Sequence, residues 1–231
     1  MHVGQAHQPP TLQNTNISSE GLDGKIIPLS QGKLLGGSSA INGQAFVANS
    51  KAAMDAWAEF GSPGWDWQSM APYFKKFHTL SRPSPAASEH LRLDYINDAL
   101  GWPASGDPFS GEFVGGYINA MSIDPEPRTR SDAATAYYEP AKARSNLHVV
   151  TGTVAEKIIF DTSGKVPKAV GVQVQKGGKT TTVEAGKEVI LAAGTVGTPK
   201  LLELSGVGDQ TLLESLGIPV VVHNPNVGEN L

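Results

Sequence analysis

Residues 32–42 read Gly-Lys-Leu-Leu-Gly-Gly-Ser-Ser-Ala-Ile-Asn, and residues 194–208 read Gly-Thr-Val-Gly-Thr-Pro-Lys-Leu-Leu-Glu-Leu-Ser-Gly-Val-Gly. In both segments glycines are followed by small hydroxyl residues and a short helical pattern. Glycine has no Cβ and tolerates φ > 0, so successive backbone N–H groups can converge on an anion or a flat ring. Because two such segments occur, we interpret them as opposite walls of one cofactor site.

The sequence before the second segment predicts strands. Val189–Ala193 is a continuous apolar run, which is typical of a parallel strand buried on both faces, and it leads directly into Gly194. Upstream, Val154–Asp161, Ala169–Gln175 and Thr180–Ala185 alternate in hydrophobicity and are separated by turn residues, which indicates an antiparallel meander. Together with the helical patterns elsewhere, these strands predict an α/β chain of mixed α+β character.

The other elements are expected from capping residues, breakers and hydrophobic spacing. Ser50 and Asp209 are predicted N-caps, and Pro72 is predicted to break or kink its helix. Helices are expected at Lys51–Phe60, Gln68–Leu80, Glu89–Leu100, Ser131–Arg144, from about Pro199, and up to Leu216; strands are expected at Lys25–Leu29, Tyr117–Ile123, Leu147–Thr151 and Ile218–Val222.

Composition narrows the possible partners. The 231 residues carry a formal net charge of −4, and no basic block is longer than Lys75-Lys76, which argues against a nucleic-acid partner. No apolar run approaches the ~20 residues that span a bilayer. The chain has no cysteine, which excludes disulfides, thiolate metal sites and a cysteine-linked flavin. With 39% hydrophobic residues, it can still bury a sizeable core.

Further segments stand in a fixed order around the two glycine groups. Residues Gly32–Asp55 and Gly194–Gly208 resemble the two signatures of the glucose-methanol-choline (GMC) oxidoreductases, flavoenzymes that oxidise alcohols. The other matches are Gly64-Trp65-Asp66-Trp67, Pro72-Tyr73-Phe74-Lys75-Lys76, Arg144-Ser145-Asn146-Leu147 and Val227-Gly228-Glu229-Asn230-Leu231. An ordered set that covers residues 25–231 is far more specific than a lone glycine motif.

The resemblance implies part of a Rossmann-like FAD-binding domain together with part of a substrate-binding domain. Residues 25–80 would supply the flavin loop and helices of the FAD domain, and residues 81–130 a shortened piece of the substrate domain. Residues 131–231 would supply the meander, the buried strand and the second signature. The polar residues 1–24 show no buried-strand run, and we interpret them as a disordered or irregular head.

Two parts that full family members carry are missing from the sequence. The first is a strand–G-x-G-x-x-G–helix unit for the FAD pyrophosphate. Gly206-Val207-Gly208 does not supply it, since position 211 is Thr and a helical pattern precedes it. The second is the catalytic histidine region, which in the family lies beyond the position of Leu231. We therefore interpret the chain as a fragment with no catalytic residue of its own.

The resemblance also assigns cofactor contacts. Ser38 would donate a hydrogen bond to the flavin, and Asn42-Gly43 would stabilise negative charge on the reduced ring. Taken alone, the same residues are ordinary turn formers. The assigned FAD-binding positions are Gly36, Gly37, Ser38, Asn42, Gly43, Ala45, Ala155 and Gly194.

The remaining implications concern the mode of attachment and the substrate. Ala45 and Ala155 would contact FAD only through their backbone, since a methyl group offers no polar atom. Ile41 stands where members with a covalent flavin carry histidine, so FAD is expected to be non-covalent. The expected partner is a small-molecule alcohol. None of the histidines is expected to be catalytic, and none has metal-binding spacing: His2, His7, His78, His90, His148 and His223.

Two other interpretations remain open at this point. The run Gly36-Gly37-Ser38-Ser39-Ala40 also resembles the nucleophile elbow of α/β-hydrolases, with Ser38 as nucleophile. That motif needs a buried strand immediately before it and a later acid and histidine, for which His223 would have to serve. The other interpretation is a truncated paralogue that does not bind FAD and has no catalytic role.

Overall fold

The computed structural model describes residues 11–18, 23, 25–47, 49–79, 81, 83–91, 101, 110–112 and 119–229. The chain divides into two compact units, Met1–Leu147 and His148–Leu231. This division falls inside residues 131–231, which the sequence analysis treats as one segment. The expected helix beyond residue 91 and the Gly106-Asp107-Pro108-Phe109 segment lie outside the described residues.

The first unit contains short antiparallel pairs and separate helices. Strand β1 (Thr11–Ser18) pairs with β2 (Ile26–Gly32), β3 (Ala45–Phe46) with β4 (Ala120–Met121), and β5 (Ile123–Asp124) with β6 (Thr129–Arg130). The helices are α1 (Lys51–Glu59), α2 (Trp67–Phe77) and α3 (Pro85–Leu91). A π-helix at Ala134–Tyr138 continues into α4 (Glu139–Ala141).

The interpretation of residues 1–24 as an irregular head is wrong for Thr11–Ser18. These residues form β1, which pairs with β2 from Thr11 opposite Gly32 to Ser18 opposite Ile26, with a shift of register between Asn14 and Ile17. Pairing supplies the backbone hydrogen bonds that a polar strand needs, so the polar composition did not prevent it. The predicted strand at Lys25–Leu29 is confirmed as part of β2.

Side-chain caps fix where the first helices begin. Ser50 Oγ accepts from Ala53 N at 3.1 Å, as predicted for α1. Asp66 caps α2 by accepting from Ser69 N at 2.9 Å, and this hydrogen bond is the main reason that the pKa of Asp66 is lowered. Pro72 lies inside α2 without ending it, so the expected break is absent.

The predicted helix over Ser131–Arg144 is irregular. Asp132, rather than Ser131, provides the cap, with Thr135 N donating to Asp132 Oδ1 at 2.9 Å. The next turns are a π-helix, a form that occurs mostly as short bulges near functional sites. Periodicity does not separate the two helix types, because both place apolar residues on one face.

The second unit is built on the predicted meander. Its strands are β7 (Val154–Asp161), β8 (Lys168–Lys176) and β9 (Lys179–Glu184), in the order β7-β8-β9. Two glycines with positive φ, Gly177 and Gly178, form the β8–β9 turn. Local hairpin contacts are sufficient to define this sheet, which explains why alternation and turn residues predicted it.

Two helices and a small parallel pair complete the second unit. Helix α5 (Gly194–Leu204) begins five residues before the expected start at Pro199. Asp209 caps α6 (Gln210–Ser215) as predicted, accepting from Leu212 N at 2.9 Å. Strand β10 (Val207–Gly208) pairs in parallel with β11 (Val222–His223), so Ile218–Val222 is a strand only at its last residue.

The core of the second unit lies between the meander and these helices. Ile158 of β7 and Leu201 of α5 are buried, and Leu213 of α6 is fully enclosed. Ser205 joins the elements: Ile158 N donates to its Oγ at 2.8 Å, and its hydroxyl donates to Leu201 O at 2.5 Å. The Ser205 hydroxyl thus gives the buried N–H group of Ile158 a hydrogen-bond partner. Without a partner, this group would lower the stability of the fold by about 1–3 kcal/mol.

Two predicted strands are not formed. Val189–Ala193 pairs with no strand among the described residues, and Ile190 is 79% exposed instead of buried. Leu147–Thr151 is likewise irregular, with Val150 64% exposed. A parallel strand forms only beside a neighbour supplied by a distant part of a chain, and the apolar pattern alone does not provide that neighbour.

Candidate functional site

The first glycine segment forms a tight left-handed turn that leads into a short 3₁₀ helix. Gly36 and Gly37 have φ of 88° and 54°, and the 3₁₀ helix covers Gly37–Ala40. Ser38 lies on its exposed side, where its Oγ accepts from Gly32 N at 3.3 Å and its own O–H remains a donor. The turn therefore presents backbone and one hydroxyl group together.

Residues from a distant part of the chain hold this turn. Ser39 Oγ donates to Gly36 O at 2.6 Å and accepts from Ala133 N at 3.0 Å. A Cβ on Gly36 would lie 3.2 Å from Ala134 N and 3.3 Å from Asp132 Oδ1. Gly36 is therefore needed both for its positive φ and for the close approach of residues 132–134.

Asn42 is held by two donors. Its Oδ1 accepts from Arg130 Nη1 at 2.7 Å and from Gln44 N at 3.1 Å. Gln44 itself has φ 63°, an uncommon conformation for a residue with a side chain. Its carbonyl accepts from Ser122 N at 2.8 Å. The strained residue is thus fixed on both sides, which is typical of backbone at a binding site.

Ala45 follows in β3, opposite Met121 of β4. Its methyl side chain is exposed, in keeping with the expectation that only its backbone contacts a cofactor. Six of the eight predicted positions therefore lie close together in sequence within the first unit: Gly36, Gly37, Ser38, Asn42, Gly43 and Ala45.

The other two predicted positions lie in the second unit. Ala155 pairs with Val174 and directly precedes a bulge in β7, since Lys157 pairs with Gln173 and Glu156 is the extra residue. Bulges occur often beside functional sites because they change the direction of a strand. Gly194, with φ 85°, is the first residue of α5.

The later glycines of the second segment serve packing. A Cβ on Gly206, which has φ 87°, would lie 2.4 Å from Pro219 O. A Cβ on Gly208 would lie 3.2 Å from Glu203 Cγ, and one on Gly228 would lie 3.0 Å from Glu203 Oε1. Glu203 is thus confined between two backbone segments. Burial, and to a smaller extent the charge of Glu229, raises the pKa of its carboxyl group.

The first segment, in contrast, leaves open space beside two glycines. A Cβ on Gly37 or on Gly43 would meet no atom within 4 Å. A flat ring can approach backbone at such positions, and the donors there suit a ring system that accumulates negative charge. The residues present therefore fit the flavin end of FAD. Ile41 offers no atom for a covalent link, in keeping with non-covalent binding.

The described histidines have other hydrogen-bonding roles or lie on exposed surface. His78 Nδ1 contacts Phe74 O, and His223 Nδ1 accepts from Gln210 N at 3.1 Å. His223 therefore supports the start of α6, whereas a hydrolase with Ser38 as nucleophile would need it as a base. Across the described ranges, no three His, Asp or Glu side chains gather to hold a metal, and no helix is long and apolar enough to cross a membrane.

The residues that hold the turn were not predicted from the sequence. Arg130, Asp132 and Ala133 contact it from 88 to 96 positions away in the chain. No motif marks them, because their function depends on the pairing of β3 with β4 and of β5 with β6. The one available signal is a cation, Arg130, just before a capping Asp132.

A glycine turn with hydrogen-bond donors around open space, in an α/β chain, is an arrangement that can hold a cofactor. The chain matches the family model for GMC oxidoreductase over residues 11–231, and it belongs to this family. The predicted family and α/β fold are thereby confirmed, and FAD is the cofactor that the family indicates.

The individual proteins that the chain resembles are dehydrogenases or oxidoreductases by name. A dehydrogenase of Armillaria gallica is 38% identical, over 94% of this chain and 39% of the relative. The oxygen-dependent choline dehydrogenase of Photobacterium profundum is 34% identical, over 91% and 39%. The solved FAD-dependent oxidoreductase from Chaetomium thermophilum is 32% identical, with a TM-score of 0.82 over 91% of this chain and 40% of that one. The chain thus spans about two fifths of the length of these relatives.

Proposed function

We propose that this chain supplies the flavin-facing part of an FAD-dependent oxidoreductase that acts on the CH–OH group of an alcohol. The observation that carries the proposal is the fixed turn at Gly36 and Gly37, in which the Ser38 hydroxyl and the Asn42 amide adjoin glycines with open space beside them. Family membership and the choline dehydrogenase relative support an alcohol as substrate.

The described residues have distinct roles in this proposal. Gly36 and Gly37 bring backbone close to the ring, and the Ser38 hydroxyl donates to it. Asn42 and Gly43 stabilise negative charge there. Bound FAD would supply the hydride acceptor for the α carbon of the alcohol.

Three further positions contribute backbone only. Ala45, in the first unit, would contact the flavin end through its main chain. In the second unit, Ala155 would offer its backbone to the adenine end, beside the bulge of β7. Gly194 would also offer its backbone to the cofactor. It lies at the start of α5, where no side chain caps the first N–H groups of the helix, which therefore suit an anion.

The 231 residues on their own are proposed to bind FAD weakly or not at all and to oxidise no alcohol. The proposal assigns none of the described histidines as a base, and His78 and His223 each have a contact within their own unit. No described glycine turn of the G-x-G-x-x-G type supplies the pyrophosphate contacts. Losing several charge-assisted hydrogen bonds of ~1.5–3 kcal/mol each would remove most of a micromolar affinity.

Activity is tested on the purified chain with a panel of alcohols that includes choline. Peroxide release and dye reduction are measured with added FAD, and flavin absorbance is measured after purification. We expect neither bound flavin nor turnover. A yellow, active preparation would contradict the proposed inactivity while supporting the family function.

The ring contact is tested by a matched pair of glycine substitutions, Gly37→Ala and Gly177→Ala. The two glycines have φ of 54° and 56°, and a Cβ added at either would meet nothing within 4 Å, so the backbone strain is matched at about 1–2 kcal/mol. Only Gly37→Ala places a methyl group in the space assigned to the flavin. Affinity for FAD, or for the shorter FMN, is measured by flavin fluorescence at high protein concentration.

We expect Gly37→Ala to weaken flavin binding at least about tenfold, the factor that corresponds to 1.4 kcal/mol, and Gly177→Ala to leave it unchanged. Equal binding by both variants would show that the flavin does not approach Gly37. If the unmodified chain binds no flavin at any concentration, the 231 residues alone are non-binding, which is compatible with the family function.

A further inference from the structure

We propose that Arg130 is a positioning residue that fixes the amide of Asn42 with its Nδ2 donors turned away from the guanidinium and free for the flavin contact assigned above. This inference rests on the proposed function, because that function gives the Asn42 amide its role. The contact itself is a property of the chain without cofactor, and it can be tested without FAD.

One nitrogen of the Arg130 guanidinium donates to two acceptors. Arg130 Nη1 donates to Asn42 Oδ1 at 2.7 Å and to Ser39 O at 3.1 Å. A guanidinium Nη carries two N–H groups in a fixed planar fork, so one nitrogen serves both acceptors. Arg130 is half-buried and lies in β6, opposite Ile123. The hairpin therefore sets the position of the guanidinium.

The identity of these donors decides which way the amide faces. Both groups at Asn42 Oδ1, the guanidinium and the Gln44 N–H, are donors only. A flipped amide would place the two Nδ2 hydrogens against these donors, which would repel it. The Nδ2 group is therefore fixed on the opposite side of the amide from Arg130. An uncharged neighbour with both donor and acceptor atoms would not impose this choice.

The guanidinium of Arg130 also changes the strength of the Asn42 Nδ2 group as a hydrogen-bond donor. The positive charge of the Arg130 guanidinium beside Asn42 Oδ1 polarises the amide, which makes the Nδ2 N–H groups stronger donors. The bond to Ser39 O also holds the residue whose Oγ closes the turn at Gly36. One guanidinium thus fixes the direction of the Asn42 donors and the shape of the turn before them.

The test compares Arg130→Gln and Arg130→Lys with the control Arg128→Gln. Arg128 is an exposed cation in the turn that leads into β6, so its replacement removes the same charge from the same hairpin. Amide hydrogen exchange is measured by NMR for the backbone of residues 37–44, and the chemical shifts of the two Asn42 Nδ2 protons are recorded in the same spectra. The reference is Phe60 N, which donates to Ala56 O in the same unit.

In Arg130→Gln we expect exchange of the Asn42 backbone N–H, which donates to Ser38 O, to accelerate at least about tenfold and the two Nδ2 proton shifts to change, with exchange at Phe60 N unchanged. Arg130→Lys should give an intermediate acceleration, since an ammonium group can retain one of the two bonds. Arg128→Gln should match the unmodified chain. Unchanged exchange at Asn42 in Arg130→Gln, or equal acceleration at Phe60, would overturn the positioning role.

Flavin titration of the same variants keeps the two proposals separate. We expect Arg130→Gln to lower flavin affinity about tenfold and Arg130→Lys less. If exchange responds as described but affinity does not change, Arg130 positions the amide and the flavin role of Asn42 is wrong. If the unmodified chain binds no flavin, as the proposed function allows for the 231 residues alone, the exchange measurement by itself decides the role of Arg130.

Discussion

The two glycine segments look alike in sequence and differ in what surrounds them. In the first, Gly37 and Gly43 face open space, and the turn is held by hydrogen bonds from Arg130 and Ala133. In the second, Gly206 lies within contact distance of other backbone. Gly32 and Gly36 of the first segment are also closely packed, so the first segment differs in that it combines packed glycines with a glycine, Gly37, that has open space beside it.

This difference separates binding from stability. The second segment carries Leu201 and Ser205 and packs against Leu213, and these three are among the few buried side chains in the described part of the chain. The 3₁₀ helix of the first segment has no buried residue. We expect substitutions in and around the second segment to act on the free energy of unfolding, and those in the first to act mainly on flavin binding.

The largest effect is expected from Leu213→Ala. This side chain is 0% exposed, and its loss should lower the free energy of unfolding of the second unit by about 3–5 kcal/mol. Leu212→Ala is the matched control, because Leu212 is 41% exposed and should cost under ~1.5 kcal/mol. All tryptophans precede residue 148, so unfolding is measured by amide exchange in β7 and β8. A similar loss in both variants would disprove the core placed around Leu213.

Gly206→Ala should have the next largest effect. Its Cβ would lie 2.4 Å from Pro219 O at φ 87°, so we expect a loss of about 2–4 kcal/mol from strain and overpacking. Gly217→Ala has φ 68° with nothing within 4 Å and isolates the backbone strain, at about 1–2 kcal/mol. Gly37→Ala should lower the free energy of unfolding of its unit by about as much as Gly217→Ala does in the second unit. If it destabilised its unit as strongly as Gly206→Ala does the other, the comparison between the segments would fail.

The smallest effect concerns pH and Glu203. Its carboxyl has a raised pKa in the folded chain, so the protonated form is the better tolerated one and stability falls as pH rises through that pKa. Glu203→Gln should therefore stabilise the second unit near neutral pH, by under ~1 kcal/mol because solvent screens the charge. At low pH the carboxyl group is protonated and uncharged, so the substitution should have no effect on stability there. Glu184→Gln, on an exposed strand end, is the control. A gain that persists at low pH would point to a cause other than charge.

The sequence predicted the parts of the fold that depend on nearby residues. The caps at Ser50 and Asp209 act within one helical turn, and the β7-β8-β9 meander is closed by short turns. The turn at Gly36 was likewise predicted, since it is a local pattern with a family resemblance. Val189–Ala193 was wrongly predicted as a buried strand, because its apolar pattern specifies burial but not a partner.

The sequence by itself determined the family, the α/β class, the FAD cofactor and the local turn that presents Ser38 and Asn42. Only the tertiary structure decided what holds that turn, because Arg130 and Asp132 reach it through the β3–β4 and β5–β6 pairs rather than through a motif. It also decided which glycines face open space and which pack against backbone. Chain neighbours fix a residue's conformation, whereas the atoms around it come from distant segments that a single sequence does not order in space.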